Sequence, residues 1–440
     1  MSLIKQNFIS LLSLIFVLSL FFKEVLSLNS EVYRISITEI LFLILIFFIF
    51  IKYKTKFIFF FLRFENYTFF DFLIFFILIL KIIKFSFNFS NYFNLYELLI
   101  WFYMICIYQS HKFLLINDKR SLKIIEYSFI LLTLLISIHV IASLFIYLAN
   151  IKVFDLWIYR ESTYLPYMGT STLHFKSLFE NYNLPAHLII PGVFFLLLRN
   201  KEMFKKNLLV LFFLIVFYLI KSKVLILVFG CLLCLYFIQK FKHNIFLLKK
   251  IYILFLLCIT IFYFLITHFI LIKSEIINST NFEFFNEYFF TEFSINFYNY
   301  EIYGSLFLKL KYVTLLIAKS FNYLLFDQIN YYQSDIDLDF FNQYADPHSE
   351  YFGALANYGI LGFFSFLIFP LYFIFYFLYY FKAYIVDIRN LNYFLIIFVF
   401  LVEGLVLDFL HYQMLWVIFA LFNVNLYLNL KKIKFNSNHS

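Results

Sequence analysis

Apolar residues in this chain come in long blocks, not at the two-residue or 3.6-residue spacing of half-buried strands and helices. Twelve blocks stand out, centred on 8–22, 37–51, 68–86, 93–110, 124–149, 184–198, 207–220, 224–239, 251–272, 349–381, 391–410 and 413–430. A membrane crossing takes about 20 apolar residues, fewer where flanking side chains reach the surface. The pattern therefore predicts an all-α polytopic membrane protein with about twelve transmembrane helices. Most connections are short. Two are long: residues 150–183, and residues 273–348 between the ninth and tenth spans. The chain accordingly divides into a nine-span bundle (1–272), a large loop (273–348) and a C-terminal group of spans (349–440). Within the loop, 305–326 is apolar but interrupted by Lys309, Lys311 and Lys319, which predicts an amphipathic helix lying on the membrane surface. The first block follows Lys5 as a signal peptide would. No A-x-A-like cleavage site comes after it, so it reads as an uncleaved helix.

Composition agrees. With 64% hydrophobic and 14% charged residues, a soluble globular protein is excluded. The 71 Phe and 36 Tyr accompany a strong excess of Lys over Arg, the signature of an AT-rich coding sequence. The phenylalanines are therefore not read as an aromatic binding surface. The +9 net charge is unevenly placed. With the N-terminus inside, the internal segments hold 22 of the 35 basic residues but 6 of the 26 acidic ones. Every internal connection carries Lys or Arg, as the positive-inside rule requires. Both termini are then cytoplasmic, 150–183 and 273–348 are external, and the basic excess orients the protein in lipid and does not bind nucleic acid. The cysteines, including the 231–234 Cys-x-x-Cys pair, lie in apolar runs without polar neighbours and read as small buried hydrophobes.

Chemistry concentrates at 346–362, DPHSEYFGALANYGILG, where the large loop runs into the tenth span. His348 stands at the predicted surface, and Gly359 and Gly362 follow on one helical face. Small residues three apart let a second helix approach closely. On composition alone, the plainer reading is a helix start with a packing face.

His-x-x-x-Φ followed by glycines at +11 and +14 resembles the signature of the O-antigen ligase/polymerase superfamily, bacterial polytopic membrane glycosyltransferases. Here Ser349, Phe352 and Asn357 replace that signature's usual Asn, Leu and acid. The twelve spans, the loop between the ninth and tenth and the cytoplasmic termini also match. Lys221-Ser222-Lys223, at an outer apex between two short spans, resembles the family's Ser-Arg-Gly turn with Lys223 in place of Arg. Residues 179–185, FENYNLP, resemble its Asn-Pro-Asn segment, displaced.

The resemblance implies transfer of a glycan from an undecaprenyl-diphosphate-linked donor to a sugar hydroxyl at the periplasmic face of the bacterial inner membrane, inverting and metal-independent. The acceptor is lipid A-core for a ligase, or another lipid-linked repeat unit for a polymerase. Beyond these substrates and membrane lipids no partner is implied, and no cofactor. His348 would be the catalytic base, since imidazole titrates near neutrality. Glu350 is a rival two residues on. Departure of the diphosphate needs cations. Arg160 is one of only two external arginines, and its fork suits phosphate oxygens. Lys221, Lys223, and Lys309 or Lys311 are the others; each equally fits an ordinary interfacial anchor. His139, His187 and His268 read as structural hydrogen-bonding residues, while Asp408 and His411 form an outer pair. Glu403, inside a span, reads as functional or as half of a buried pair. No metal-ligand or nucleotide-binding motif appears. A protein O-oligosaccharyltransferase would share this mechanism. A polysaccharide flippase is the competitor from another class, although the halves show no internal similarity.

Overall fold

The computed structural model describes residues 2–23, 27–29, 34–63, 67–87, 92–149, 159–163, 171–175, 178–179, 183–199, 203–220, 222, 224–240, 245–273, 295–297, 300–304, 350–379, 388–404, 410 and 412–437. Among these, the helices are α1 Ser2–Ser19, α2 Ile37–Tyr53, α3 Thr55–Leu62, α4 Phe69–Phe87, α5 Tyr92–Asn117, α6 Lys119–Leu148 and α7 Asn183–Arg199. They continue with α8 Met203–Ile220, α9 Val224–Lys240, α10 Ile245–His268, α11 Glu350–Tyr379, α12 Ile388–Glu403 and α13 Gln413–Ser437. A helix occupies each of the twelve apolar blocks, and α3 is additional. Three stretches, Leu95–Asn117, Arg120–Leu148 and Ile360–Tyr379, are long and apolar enough to cross a membrane.

The helices are inside out relative to those of a soluble protein. In α6 the polar side chains of Ser121, Glu126, Ser128, Thr133, Ser137 and Ser143 are buried. Tyr127, Leu131, Leu135, Ile138 and Phe145, spaced at one helical face, are exposed. Water would penalise such a surface and lipid does not. This is a membrane protein.

Local chemistry sets the ends. Ser36 and Glu39 form a capping box at the start of α2, with the Ser36 backbone N–H donating to Glu39 Oε2 at 2.8 Å. At the start of α4, Asp71 accepts from both the backbone N–H and the hydroxyl of Thr68, each at 2.6 Å. One residue, Asp118, joins α5 to α6 and accepts from the Arg120 N–H at 3.0 Å.

Helices α6 and α7 approach each other closely. A Cβ at Gly192 would strike the Thr133 side chain and the Phe129 carbonyl. One turn away, Thr133 Oγ1 donates to the Ile189 carbonyl at 3.1 Å. Pro191, inside α7, lacks the N–H that would continue the ladder, a break a membrane helix tolerates when neighbours cover it. At the centre, α12 is buried from Leu391 through Val402, with Phe394 stacked 3.9 Å from Phe377 of α11. Phe70 of α4 inserts among Phe369 and Phe373 of α11 and Phe419 of α13.

Short antiparallel strands lie between helices, all but one of them in segments whose sequence predicts only connections. Ser27–Asn29 (β1) pairs with Arg34–Ser36 (β2), and Tyr159–Thr163 (β3) with Ser171–Phe175 (β4). Phe269–Lys273 (β5), Ile295–Phe297 (β6) and Tyr300–Gly304 (β7) form a sheet in the order β5-β7-β6. The end of the ninth apolar block is thus strand. Its backbone groups pair with β7 instead of continuing α10. The surface helix expected over 305–326 lies outside the described residues.

One charge is not where the sequence places it. Lys112 reads as an internal loop residue because it follows the apolar run 93–110. Helix α5 instead continues to Asn117, and Lys112 is buried with its Nζ 2.7 Å from Asp71 Oδ2. Neutralisation by Asp71 lets the helix carry an ammonium into the interior.

Candidate functional site

Polar side chains collect where the starts of α2, α7, α11 and α13 meet the end of α12, beside the segments predicted to be external. His187, in the first turns of α7, and Glu403, the last residue of α12, are paired through Nε2 and Oε2. Both are fully buried. The rings of Tyr412, 4.9 Å away, and Phe400, 5.8 Å away, wall the imidazole. Among the described residues, the Glu403 carboxylate has no hydrogen-bond donor beyond this pairing. A buried carboxylate in lipid is costly unless a cation or a proton neutralises it, so these two residues act as one unit.

The helix headed by the His/Gly segment is tied to the same place. Tyr351, in the first turn of α11, is buried, and its hydroxyl donates to the Leu401 carbonyl at 2.9 Å, two residues from Glu403. Gln413, opening α13, donates to Glu39 Oε1 at 2.7 Å and contacts the Tyr103 hydroxyl at 3.2 Å. Trp416 Nε1 closes the adjoining turn on the Leu410 carbonyl at 2.7 Å. Glu403 and Leu401 thus tie α7 and α11 to α12, Gln413 ties α2 and α5 to α13, and the Tyr412 ring against His187 brings the two groups side by side.

Of the residues singled out from the sequence, Arg160 lies in β3, where it pairs with His174 of β4. His348, Lys221, Lys223, Lys309 and Lys311 lie outside the described residues, as do Asp408 and His411. Between the two apex lysines, however, Ser222 is buried, and its Oγ finds no hydrogen-bond partner among the described residues. Glu350 opens α11. His139 is half-buried against Phe21, and Gly362 is buried on α11. Cys231 is buried and Cys258 exposed, both unpaired.

Sequence reasoning noted His187 and Glu403 separately and did not join them. The available signal was two ionisable residues near the predicted outer ends of apolar runs. The Asp71–Lys112 pair was missed altogether, because Lys112 passed for a loop charge. Gly192 was also missed; the Pro191-Gly192 dipeptide inside an apolar run was its mark. Compared with family models, curated proteins and solved structures, the chain matches none.

Proposed function

We propose that this protein is an integral inner-membrane glycosyltransferase of the O-antigen ligase/polymerase type, with twelve spans and both termini cytoplasmic. It moves a glycan from an undecaprenyl-diphosphate-linked donor to a sugar hydroxyl at the periplasmic face. The carrying observation is the His348–Gly359–Gly362 pattern, which follows the longest external segment and runs into α11. Three further features support the reading: the charge asymmetry, the buried Ser222 at the apex, and the anchoring of the first turn of α11 beside His187 and Glu403.

In this reading the acceptor hydroxyl oxygen attacks the anomeric carbon while the bond to the diphosphate oxygen breaks. The leaving group departs with the electron pair, and His348 takes the hydroxyl proton. Arg160, Lys221, Lys223 and Lys309 or Lys311 stabilise the departing charge. The acceptor is lipid A-core; a polymerase would use a second lipid-linked repeat in the same chemistry.

The test is glycan transfer per molecule of membrane-inserted protein, from purified lipid-linked donor in the presence of EDTA. His348→Ala is expected to lower transfer by roughly 10²–10⁴-fold at normal abundance. Unchanged turnover in that variant, or dependence of the wild type on added divalent metal, overturns the proposal. Orientation is checked by alkaline phosphatase fusions, active near Asn286 and inactive near Asn244.

A further inference from the structure

Helix α4 carries Lys81 and Lys84 one turn apart, close to its last residue, Phe87. Both are buried, at 8% and 6% exposure. A lysine that only anchors a helix end extends into water. Lys54, at the left-handed turn (φ 42°) between α2 and α3, and Lys56 are exposed in that way. Lys81 and Lys84 turn instead toward α5. Lys81 Nζ lies 3.5 Å, and Lys84 Nζ 3.9 Å, from the same oxygen, Glu97 Oε2. Both separations exceed the roughly 2.7–2.9 Å of a charge-assisted hydrogen bond. Lys81 also stands 5.3 Å from the centre of the Trp101 ring. That indole donates to the Ile74 carbonyl at 3.4 Å and packs edge-on against Trp416, so the ammonium rests on a fixed aromatic platform.

The carboxylate is placed differently from the cations. A third of the Glu97 side chain is exposed, and Tyr96 beside it and Ile82 of α4 face outward. The two buried ammonium groups therefore open to the surface through Glu97. Depth fits a headgroup. Lys84 and Glu97 stand about 5 and 8 Å inside the ends of their helices, at roughly 1.5 Å per residue. In the orientation proposed above these ends are external, the side on which the positive-inside rule does not favour lysine. Ionisable side chains held within a span at such a cost mark a functional site by default.

From this arrangement we infer that Lys81 and Lys84 form a binding site for the phosphate of an anionic membrane lipid. Glu97 is its resident counter-ion, which the phosphate displaces. A swing of the half-exposed Glu97 outward leaves both ammonium groups facing the place its carboxylate held. The assignment to the outer leaflet rests on the proposed orientation; the site itself does not depend on the glycosyltransferase reading.

The experiment is native mass spectrometry of the full-length protein in non-ionic detergent. It is titrated with phosphatidylglycerol, with phosphatidylcholine of the same chains, and with inorganic phosphate. The wild type is expected to prefer phosphatidylglycerol by roughly fivefold, the worth of one net cation near a membrane surface. Glu97→Gln removes the competing carboxylate and should raise that preference by about a further fivefold. The K81Q/K84Q double variant should lose the preference while phosphatidylcholine binding stays unchanged. Equal binding of the two lipids by the wild type, or a preference that survives K81Q/K84Q, overturns the site. So does a Glu97→Gln preference no greater than the wild type's, even where the double variant fails to insert, because a merely structural ion pair has no ligand to compete with. Displacement of phosphatidylglycerol by millimolar phosphate places the ligand in solution and overturns the lipid as its source.

Discussion

Among the described residues, two ionisable pairs are fully buried, and they are built differently. Asp71 receives four donors: the Thr68 backbone N–H, the Thr68 hydroxyl and Lys112 Nζ at Oδ2, and Gln109 Nε2 at Oδ1, 2.8 Å away. Glu403 has His187 and, among the described residues, no hydrogen-bond donor besides. The first pair is a densely bonded knot that locks the start of α4 to α5. The second accepts nothing further from the described residues, and it stands on the side where the proposed chemistry is placed. The contrast separates a buried charge used to fix a frame from one that its described neighbours bond sparsely.

The strongest way to break this contrast is Lys112→Ala, which strands an ionised Asp71 in the interior. It should cost on the order of 3–5 kcal/mol and sharply reduce the amount of inserted protein. Lys112→Met combined with Asp71→Leu should recover most of that loss, read as thermal stability in detergent. A Lys112→Ala protein of normal stability would mean that the knot is not structural. Next, Gln109→Leu removes one donor to a charged acceptor and should cost roughly 1.5–3 kcal/mol in the same assay.

Glu403→Gln should be milder, at about 1 kcal/mol, because a neutral amide in a sparsely bonded site strands fewer partners. If it proves as costly as Lys112→Ala, the two pairs are equivalent and the contrast fails. Tyr351→Phe should be the smallest, about 0.5–1.5 kcal/mol, since it deletes a single neutral hydrogen bond to the Leu401 carbonyl.

The helices were legible because lipid demands long apolar runs, and each predicted run coincides with one. Helix ends were less so. The apolar pattern stops at residue 110 while α5 runs to Asn117, because the residue that neutralises Lys112 lies 41 positions earlier in the chain. No local window carries that information. Phe269–Lys273 reads as span because a fully apolar strand and a buried helix segment look alike in hydropathy. Lys54 gives no hint of its turn, since left-handed backbone is usually marked by Gly or Asn. At the candidate site, the sequence offered the single residues Glu403 and His187. Their union depends on α7 and α12 lying side by side, a long-range fact. His348 and the four lysines lie outside the described residues, so the motif that named them rests on sequence. Arg160 is placed only as far as its strand.

The link between α1 and the α5–α6 turn has a consequence in time. Ser10 of α1 donates to Asp118 at 3.2 Å and meets Ser121 at 2.9 Å, so its partners lie more than 100 residues downstream. At synthesis rates of roughly 5–20 residues per second, the first helix waits about 5–20 s before these partners are made. Throughout that interval the Ser10 hydroxyl lacks both of these partners, although α2 is already made. The nascent chain is therefore most exposed to quality-control proteases before residue 121 emerges. A chain truncated after Leu115 should be cleared faster than one truncated after Leu148, although both retain an intact first helix.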